Sequence, residues 1–411
     1  MKYCLIGEKL GHSYSAELHG AMGIDYSLVE VPRDKLVEFL HSNDYDGFNV
    51  TIPYKKDVIP HLDALDETVA LSGAVNTVKR DGNKLIGYNT DIGGMRYMIE
   101  SKGVSLAGKN LLILGAGGTY NTASTLAKMQ GAKSVNFVDV NGEINYGNCY
   151  ELTDTEIIIN ATPVGMYPNV YEQLIDLSRF DRLTAVFDCI YNPFMTELLI
   201  QAKELGLIYS DGLPMLVRQA VLAENIWQGV QDDPLLTQNL VSYMRRKKSN
   251  LILFGMPSSG KTTLGKILAH HFDRPFLDLD EYITNKHGAT PAEIIQSNGE
   301  KVFRQLESQA VTEVAPISGT VISLGGGTVL DPSNVTKLKK NGVMIYINRD
   351  LELLSTDNRP LSQTQGVRAL YEQRKDIYQK VKDAEVDNNS DLDSASKEII
   401  KAYETACNQW R

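Results

Sequence analysis

A glycine-rich segment between an apolar strand and a helix constrains the second half of this chain more than any other sequence feature. The segment 255–262 (GMPSSGKT) fits the pattern G-x-x-x-x-G-K-[ST], follows the apolar run LILFG and precedes the helical pattern TTLGKILAHHF. In such a loop, backbone N–H groups and the helix N-terminus bind phosphates, the lysine reaches the β- and γ-phosphates, and the hydroxyl binds Mg²⁺. The sequence therefore predicts a nucleoside triphosphate site with Lys261 and Thr262 in these roles, and the loop alone does not say which NTPase this is. We also expect contacts with the nucleotide from Ser258, Ser259, Gly260 and Thr263.

Strand and helix patterns alternate along the whole chain. Apolar strand runs occur at YCLIG, IDYSLVEV and YDGFNVTI, then at NLLILGAGG, SVNFVDV, EIIINAT and TAVFDCIY, and again at LILFG, PFLDLD, TVISLGGG and GVMIYIN. Alternation of this kind is typical of α/β folds with parallel sheets. We therefore predict α/β structure throughout, in three successive parts.

The basic run 245–248 (RRKK), followed by Ser249 and Asn250, marks the clearest division of the chain. Like charges between two periodic segments indicate a linker, although a solvated helix end that continues into the next domain also fits. A length of 411 residues corresponds to two or three domains. We predict domains at residues 1–91 plus 212–245, at 92–211 and at 251–411, with a linker at 246–250.

The composition argues against several classes of protein. Lys and Arg number 41 and Asp and Glu 51, which gives a formal net charge of -10 at pH 7. General binding to nucleic acid or to an anionic membrane needs a cationic face, so we expect neither as a partner. No apolar run approaches the ~18 residues of a membrane helix. The four cysteines lie far apart without a C-x-x-C pair, which favours a reducing, cytoplasmic setting.

Other polar residues of the second half fall at predicted strand ends or on one helix face. Asp278 and Asp280 end a strand, Arg304 and Glu307 lie three positions apart, and three glycines at 325–327 follow another strand. Singly, each has a structural explanation, because the aspartates could cap a helix and Arg304 and Glu307 could form a surface ion pair. Together with NRPL at 358–361 and RKDIY at 374–378, this ordered set resembles shikimate kinase over nearly all of 249–411.

The resemblance to shikimate kinase implies roles for individual residues. Asp280 would orient or deprotonate the reacting hydroxyl, and Asp278 would act through Mg²⁺ and its waters. Arg359 would belong to a lid that closes over ATP. The stretch LELLSTDNRPLSQTQGVRAL is short for this lid and contains no second arginine before Arg359. The residues that bind shikimate would be Asp280, Arg304, Gly326 and Arg374. The two arginines would pair with its carboxylate.

The first half contains a partial glycine pattern and several polar clusters. The segment 115–119 (GAGGT) follows a strand and opens a helix, as in a dinucleotide fold, but Tyr120 occupies the third small position. A residue of this size would push the helix from the strand or force another turn geometry. Polar residues cluster at HSYS (12–15), NVTIPYK (49–55), GAVNT (73–77) and GYNTD (87–91). Their hydroxyls, amides, lysine and aspartate suit a small polyhydroxy acid.

With NATPVGM (160–166), DCIYNP (188–193) and DGLPMLVRQA (211–220), these segments resemble shikimate dehydrogenase over about 1–244. That family reduces 3-dehydroshikimate to shikimate with NADPH, on a substrate domain and a Rossmann-like dinucleotide domain. The resemblance implies that Lys55 and Asp91 form the catalytic pair, in which the ammonium gives a proton to the ketone oxygen. Substrate contacts would come from Ser13, Ser15, Thr51, Asn76, Tyr191 and Gln219, and dinucleotide contacts from Gly115, Ala116, Gly117, Gly118, Thr119 and Gly212.

Two departures from this family concern the cofactor. Where the family has Asn-Arg-Thr after the second strand, this chain has Asp139-Val140-Asn141. A carboxylate at this place accepts a hydrogen bond from a ribose 2′-OH and repels a 2′-phosphate, so NAD stands beside NADP as the expected cofactor. The next segment, GEINYGNCYELTD, is too short for a helix and a strand, which predicts that one βα element is missing.

Three hypotheses about function follow. The first is a bifunctional enzyme that makes shikimate at one end and phosphorylates it at the other. The second is a shikimate kinase whose N-terminal domain binds substrate but no longer transfers hydride. The altered cofactor segment favours this hypothesis, and the intact Lys55 and Asp91 oppose it. The third is a P-loop kinase for another small polyol, which Arg304 and Arg374 oppose because they demand a carboxylate.

Overall fold

The computed structural model describes residues 1–11, 13–355 and 366–409. The chain divides into two compact units, Met1–Val241 and Ser242–Arg411. Every sheet in them contains parallel strands, as the alternating pattern predicts. In the described ranges, no helix combines the length and the apolar character that crossing a membrane requires.

Six strands form the first sheet of the N-terminal unit. They are β1 (Tyr3–Gly7), β2 (Tyr26–Glu30), β3 (Gly47–Val50), β4 (Ala64–Leu65), β5 (Thr77–Asp81) and β6 (Lys84–Tyr88), in the order β2-β1-β3-β5-β6-β4. β1 is parallel to β2 and β3, whereas β5 is antiparallel to β3 and β6. The helices of this part are α1 (Ser15–Ala21), α2 (Leu36–His41) and α3 (Glu67–Ser72).

A second, fully parallel sheet of five strands follows. Its strands are β7 (Asn110–Leu114), β8 (Ser134–Val138), β9 (Ile157–Asn160), β10 (Ala185–Asp188) and β11 (Ile208–Ser210), in the order β11-β10-β9-β7-β8. Successive residues of β7 alternate between two cores, with Ile113 in one and Leu112 in the other. Burial on both faces explains why these strands read as continuous apolar runs. The accompanying helices are α4 (Asp91–Glu100), α5 (Gly118–Met129), α6 (Glu197–Glu204), α7 (Leu213–Gln228) and α8 (Pro234–Lys248).

The second sheet is shorter than a doubly wound dinucleotide fold, whose strands follow the order 3-2-1-4-5-6. Between β8 and β9 the structure has one 3₁₀ turn, Cys149–Glu151, and neither an α-helix nor a strand. The position beyond β8, which the third strand would occupy, therefore has no strand in the described sheet. This agrees with the prediction that one βα element is missing.

Helix α7 returns to the first sheet. The Trp227 ring stacks on Tyr3 of β1 with centroids 4.5 Å apart, and its Nε1 donates to the carbonyl oxygen of Val78 at 2.9 Å. This contact supports the prediction that residues 212–245 belong to the same domain as residues 1–91. The boundaries of that domain stay a prediction.

The C-terminal unit contains one parallel sheet between two cores. Its strands are β12 (Asn250–Phe254), β13 (Phe276–Asp278), β14 (Val321–Ser323), β15 (Gly342–Asn348) and β16 (Ala384–Asp387), in the order β13-β14-β12-β15-β16. Leu253 packs in one core and Phe254 in the other. The helices are α9 (Lys261–Phe272), α10 (Leu279–His287), α11 (Pro291–Asn298), α12 (Glu300–Val314), α13 (Pro332–Lys339), α14 (Val367–Val381) and α15 (Leu392–Gln409).

The basic run 245–248 forms the end of α8, and β12 begins two residues later. The carbonyl oxygen of Arg246 accepts from the Arg274 guanidinium at 2.5 Å and from the Tyr403 hydroxyl at 2.6 Å, so side chains satisfy this helix end. The run is therefore a helix end that continues into the next unit. Residues 246–250 do not form the irregular linker that was the other interpretation.

Candidate functional site

A cavity of about 230 Å³ in the N-terminal unit lies where strand ends and turns of its two sheets meet. Every residue predicted to contact the dehydrogenase substrate lines it. The predicted dinucleotide residues Thr119 and Gly212 line it as well. The cavity therefore brings together eight predicted substrate residues: Ser13, Ser15, Thr51, Lys55, Asn76, Asp91, Tyr191 and Gln219.

Lys55 and Asp91 form an ion pair inside this cavity. Lys55 Nζ lies 2.5 Å from Asp91 Oδ2, and Asn76 Nδ2 donates to the other carboxylate oxygen at 2.8 Å. Asp91 is the first residue of α4, where the helix dipole favours a negative charge. The side chains of Lys55 and Asp91 are 31% and 14% exposed. The ammonium is thus held in one orientation and still reaches solvent.

Asn76 is fixed by buried hydrogen bonds. Its Oδ1 accepts from the backbone N–H of Thr90 at 2.7 Å, and Asn49 Nδ2 donates to its carbonyl oxygen at 3.2 Å. Asn49 also accepts from the Tyr26 hydroxyl at 2.7 Å and lines the cavity itself. Asn49 was not predicted as a site residue, although the NVTIPYK string contains it. Cys189, Met215 and Leu216 also line the cavity and were not predicted.

The glycine turn after β7 has the form of a dinucleotide site. Gly115 has a positive φ of 96°, and α5 begins at Gly118. A Cβ on Gly117 or Gly118 would meet nothing within 4 Å, so the space before the helix N-terminus is open. A pyrophosphate binds at such a place. Ala116 and Thr119 complete the predicted turn, and Thr119 borders the substrate cavity.

Tyr120 does not displace α5 from the sheet. Its ring packs beside Phe137 of β8, with centroids 4.9 Å apart, and the core around Ile113 includes buried Ala123 and Leu126 of the helix. The expectation that a bulky residue here pushes the helix away was wrong. The side chain finds room along the neighbouring strand instead.

Asp139 stands directly beyond β8 and next to the glycine turn. The N–H of Gly115 donates to the carbonyl oxygen of Val138 at 2.9 Å, and the N–H of Asp139 donates to that of Ile144 at 3.1 Å. The nearby Tyr146 has a pKa raised by burial and then by the Asp139 charge. The segment 139–148 contains no Lys or Arg.

A second cavity, of about 320 Å³, lies in the C-terminal unit at the glycine-rich segment. Ser259 is the one predicted loop residue that does not line it. Ser259 is fully buried, and its carbonyl oxygen accepts from Asn388 Nδ2 at 2.8 Å. The lining comprises Pro257, Ser258, Gly260, Lys261, Thr262, Thr263, Asp278, Asp280, Ser323, Leu324, Gly325, Gly326 and Arg349.

The loop 255–262 curls in front of α9 and folds its lysine inward. Lys261 Nζ donates to the carbonyl oxygen of Met256 at 2.8 Å and of Gly255 at 3.2 Å. A Cβ on Gly255 would lie 2.4 Å from the carbonyl oxygen of Ile347, so only glycine fits between this loop and β15. The loop therefore presents backbone N–H groups and one ammonium to a phosphate chain.

Thr262 and Asp278, the two predicted metal ligands, are in contact. Thr262 Oγ1 donates to Asp278 Oδ2 at 2.7 Å. Asp278 Oδ1 also accepts from the N–H groups of Asp280 and Glu281, so the capping explanation for this aspartate holds too. A hydroxyl and a carboxylate are hard oxygen donors, and Mg²⁺ commonly takes one or two protein ligands together with phosphate oxygens. The residues present therefore fit Mg²⁺.

Glycines 325–327 let three side chains approach the backbone at the end of β14. A Cβ at 325 would lie 3.0 Å from Asp280 Oδ1, one at 326 would lie 3.1 Å from Arg374 Nη1, and one at 327 would lie 2.3 Å from Arg304 Nη2. The carbonyl oxygen of Gly326 accepts from the Tyr378 hydroxyl at 2.5 Å. Asp280, Arg304, Gly326 and Arg374 therefore meet at one strand end, at the edge of the second cavity.

Arg304 forms a partly exposed ion pair with Glu300, whose carboxylate accepts from its Nη2 at 3.0 Å, but its pair with Glu307 does not lie at the surface. Its Nη1 donates to Glu307 at 2.7 Å, and Glu307 is 1% exposed and also accepts from Thr328 Oγ1 at 2.6 Å. Arg374 is buried, and its Nε has no hydrogen-bond partner within the described ranges. The remaining predicted nucleotide residue, Arg359, lies outside the described residues.

Comparisons with known proteins identify families for both units. The family model described as "Shikimate dehydrogenase substrate binding domain" matches residues 5–78, and the model described as "Shikimate kinase" matches residues 257–404. Shikimate dehydrogenase (NADP(+)) from Clostridium perfringens is 35% identical over 263 residues, 59% of this chain and 97% of that protein. The chain belongs to the shikimate dehydrogenase family. Its C-terminal unit carries a shikimate kinase domain.

Solved structures agree with the dehydrogenase assignment. A chorismate mutase/shikimate 5-dehydrogenase fusion protein from Clostridium acetobutylicum is 36% identical, with a TM-score of 0.56 over 59% of this chain and 96% of that one. Shikimate 5-dehydrogenase from Listeria monocytogenes, solved with shikimate and NAD, is 26% identical, with a TM-score of 0.53 over 59% and 96%. Below, Met1–Val241 is the dehydrogenase unit and Ser242–Arg411 the kinase unit.

A buried carboxyl group near the first cavity predicts a pH dependence of stability. Asp188, at the end of β10, accepts from Ile190 N–H, Thr196 Oγ1 and Asn160 Nδ2 at 2.9, 2.8 and 3.0 Å. Burial nevertheless raises its pKa to about 7, against about 4 in an unfolded chain. Between these values the folded protein binds a proton that the unfolded chain lacks. Stability should therefore fall as pH rises from about 4 to about 7.

Asp188→Asn should flatten this part of the stability profile, because the amide does not titrate. We expect the Tm of the variant, relative to that of the natural protein, to be higher at pH 8 than at pH 5. Thermal unfolding of both proteins in matched buffers measures this difference. Equal changes of Tm with pH in the two proteins would contradict the assignment.

Proposed function

We propose that this shikimate-pathway enzyme catalyses two consecutive steps. The dehydrogenase unit reduces 3-dehydroshikimate to shikimate, and the kinase unit transfers phosphate from ATP to shikimate, giving shikimate 3-phosphate. The observation that carries the proposal is that each unit keeps its reactive groups together in one cavity. These are Lys55 and Asp91 in the first, and Lys261, Thr262 and Asp278 in the second.

Lys55 acts as the acid of the reduction in this proposal. A bound nicotinamide cofactor supplies the hydride to the carbonyl carbon, and the carbonyl oxygen then needs one proton. The Lys55 ammonium gives that proton, and Asp91, oriented by Asn76, keeps Nζ in place. Lys55 recovers a proton from solvent, to which its side chain is partly open.

The other polar groups of the first cavity match the remaining functions of the substrate. Among the described lining residues, Lys55 is the only basic one. Hydroxyl and amide groups therefore have to hold the ring hydroxyls and the carboxylate. Ser13 Oγ and Ser15 Oγ lie 3.0 Å apart and form one such hydroxyl pair. Thr51, Tyr191 and Gln219 would supply further contacts.

The cofactor of the dehydrogenase unit is proposed to be NADP or NAD, with weak discrimination or a tilt toward NADH. The relatives named Shikimate dehydrogenase (NADP(+)) support NADP. Asp139 beside the glycine turn, in a segment without Lys or Arg, supports NAD, because a 2′-phosphate would meet a carboxylate and no cation. The Listeria structure that contains NAD shows that a related fold accommodates it.

Asp139→Asn should shift the cofactor preference toward NADPH. Removal of a like charge next to the 2′-phosphate should change the ratio of kcat/KM for NADPH and NADH by about tenfold, which corresponds to about 1.4 kcal/mol. Initial rates with 3-dehydroshikimate and each cofactor measure the ratio. Glu143→Gln is the matched control, an exposed acid in the same segment. A strong preference for NADPH that Asp139→Asn leaves unchanged would show that Asp139 does not face the ribose.

In the kinase unit, Asp280 is proposed to orient the shikimate hydroxyl and accept its proton. Arg304 and Arg374, which converge at glycines 326 and 327, bind the shikimate carboxylate as a charge-assisted pair. Lys261 and the loop N–H groups bind the phosphates. Mg²⁺, held through Thr262 and Asp278, would neutralise charge on the phosphate oxygens.

The second candidate function is a shikimate kinase whose dehydrogenase unit binds substrate without transferring hydride. The missing βα element after β8 favours it, because that element belongs to the cofactor-binding sheet. The Lys55–Asp91 pair opposes it, because binding alone does not require an ammonium next to a carboxylate. Oxidation of NADPH or NADH with 3-dehydroshikimate, followed by absorbance, distinguishes the two candidates.

Lys55→Ala should abolish the dehydrogenase activity and leave the kinase activity near that of the natural protein. Loss of a positioned acid costs about 10²–10⁴-fold in rate, and the described lining residues of the second cavity belong to the kinase unit. Both activities are measured on the same preparation, with Lys56→Ala, an exposed neighbour, as control. Loss of both activities in a folded variant would contradict the independence of the two sites.

Lys261→Ala should remove phosphoryl transfer alone, because its ammonium neutralises charge on the phosphates. Release of ADP in the presence of shikimate measures this step. Lys266→Ala, on the exposed face of the same helix, is the matched control. Kinase activity that persists in Lys261→Ala would show that the loop lysine has no such role.

A further inference from the structure

Arg349 is a basic residue of the second cavity to which neither the glycine-rich loop nor the proposed shikimate contacts assign a role. It follows β15 directly and lines the cavity together with Lys261 and Thr262. Its Nη1 lies 3.7 Å from the position that a Cβ on Gly260 would occupy, and Gly260 is the residue before α9. The guanidinium therefore lies beside a helix N-terminus, where phosphates bind.

The hydrogen-bonding capacity of Arg349 is not used up by its surroundings. Its Nε is buried and has no partner among the residues that the structure describes. The neighbouring carboxylates are engaged elsewhere: Asp350 Oδ1 accepts from Asn389 Nδ2 at 3.0 Å, and Asp387 Oδ1 accepts from Asn348 Nδ2 at 2.7 Å. Because buried polar groups are nearly always hydrogen-bonded, this N–H group points to a ligand.

The backbone fixes Arg349 relative to the phosphate loop. β15 pairs with β12 in parallel, and the loop follows β12 directly. At Gly255 the loop approaches the carbonyl oxygen of Ile347 so closely that no side chain fits between them. Arg349 is two residues beyond Ile347, so its backbone is held next to the loop. Lys261 contacts the inner side of the same loop.

The sheet order separates Arg349 from the shikimate contacts. Glycines 325–327 follow β14, on one side of β12, and Arg349 follows β15, on the other side. Arg304 and Arg374 already converge at the glycines, where the proposed carboxylate contact lies. The Arg349 guanidinium, on the β15 side, is available for the phosphate chain of the nucleotide. Its planar arrangement of N–H groups can bind two phosphate oxygens at once.

We propose that Arg349 binds the phosphate chain of the nucleotide, opposite Lys261. The inference rests on the proposed kinase function and extends its ATP site by one cation. Arg349 is also the nearest basic residue before Arg359 in the sequence, since residues 350–358 contain no Lys or Arg.

The test is Arg349→Gln in the full chain. Because the variant loses a charge-assisted hydrogen bond, we expect the KM for ATP and the Kd for ADP to rise about tenfold or more, with the KM for shikimate unchanged. Inorganic tripolyphosphate, which has no base or ribose, should also bind about tenfold more weakly. Lys401→Gln removes a charge from the exposed face of α15 and should change none of these constants. Arg349→Lys should recover part of the loss.

Two results would overturn the assignment. Unchanged nucleotide affinity in Arg349→Gln would show that the side chain does not contact the nucleotide. Weaker ATP binding with unchanged tripolyphosphate binding would assign Arg349 to the base or ribose instead. Calorimetric titration with ADP and tripolyphosphate needs no turnover. The role of Arg349 is therefore decided even if the natural protein fails to phosphorylate shikimate, which would refute the proposed kinase function separately.

Discussion

Close approaches of backbone to backbone at strand ends place the ligand-binding groups in both units. A Cβ on Gly212 would lie 2.1 Å from the carbonyl oxygen of Cys189, and one on Gly255 would lie 2.4 Å from that of Ile347. At the first contact α7 starts against the end of β10, which brings Gln219 to the substrate cavity. At the second, the phosphate loop lies against the end of β15. Side chains at these two glycines would separate the elements that form each cavity.

Motif strings predicted most of the substrate cavity because their residues come from turns that the strand pattern already defines. Lys55 and Asp91 are far apart in the sequence, but each follows a strand of the same sheet, and Asn76 donates a hydrogen bond to Asp91. Asn49 belongs to the NVTIPYK string but was not predicted as a site residue. Its role depends on hydrogen bonds to Tyr26 and to the backbone at Asn76, which no spacing rule contains.

Other features depended on the tertiary structure. The spacing of Arg304 and Glu307 fits a surface ion pair as well as a buried one. The buried hydrogen bond from Thr328 to Glu307 shows that the Glu307 carboxylate lies inside the protein. Tyr120 does not push α5 from the sheet, because its ring packs beside Phe137 on the next strand. Arg349 belongs to no motif, and only the strand order, with β15 beside β12, brings it to the phosphate loop. Sequence patterns predict strands far better than the order in which the strands pair.

The distribution of charge differs between the two cavities in a way that matches their reactions. In the dehydrogenase unit, the cavity lysine is paired with Asp91, which suits a neutral ketone oxygen that needs a proton and no permanent countercharge. In the kinase unit, Arg349 and Arg374 each bury a guanidinium nitrogen without a partner in the described ranges. Burial of a cationic group without a partner carries a free-energy cost, which a bound anion offsets. A carboxylate on one side of β12 and a phosphate chain on the other would supply that compensation together, and both are present only when shikimate and ATP occupy the kinase unit.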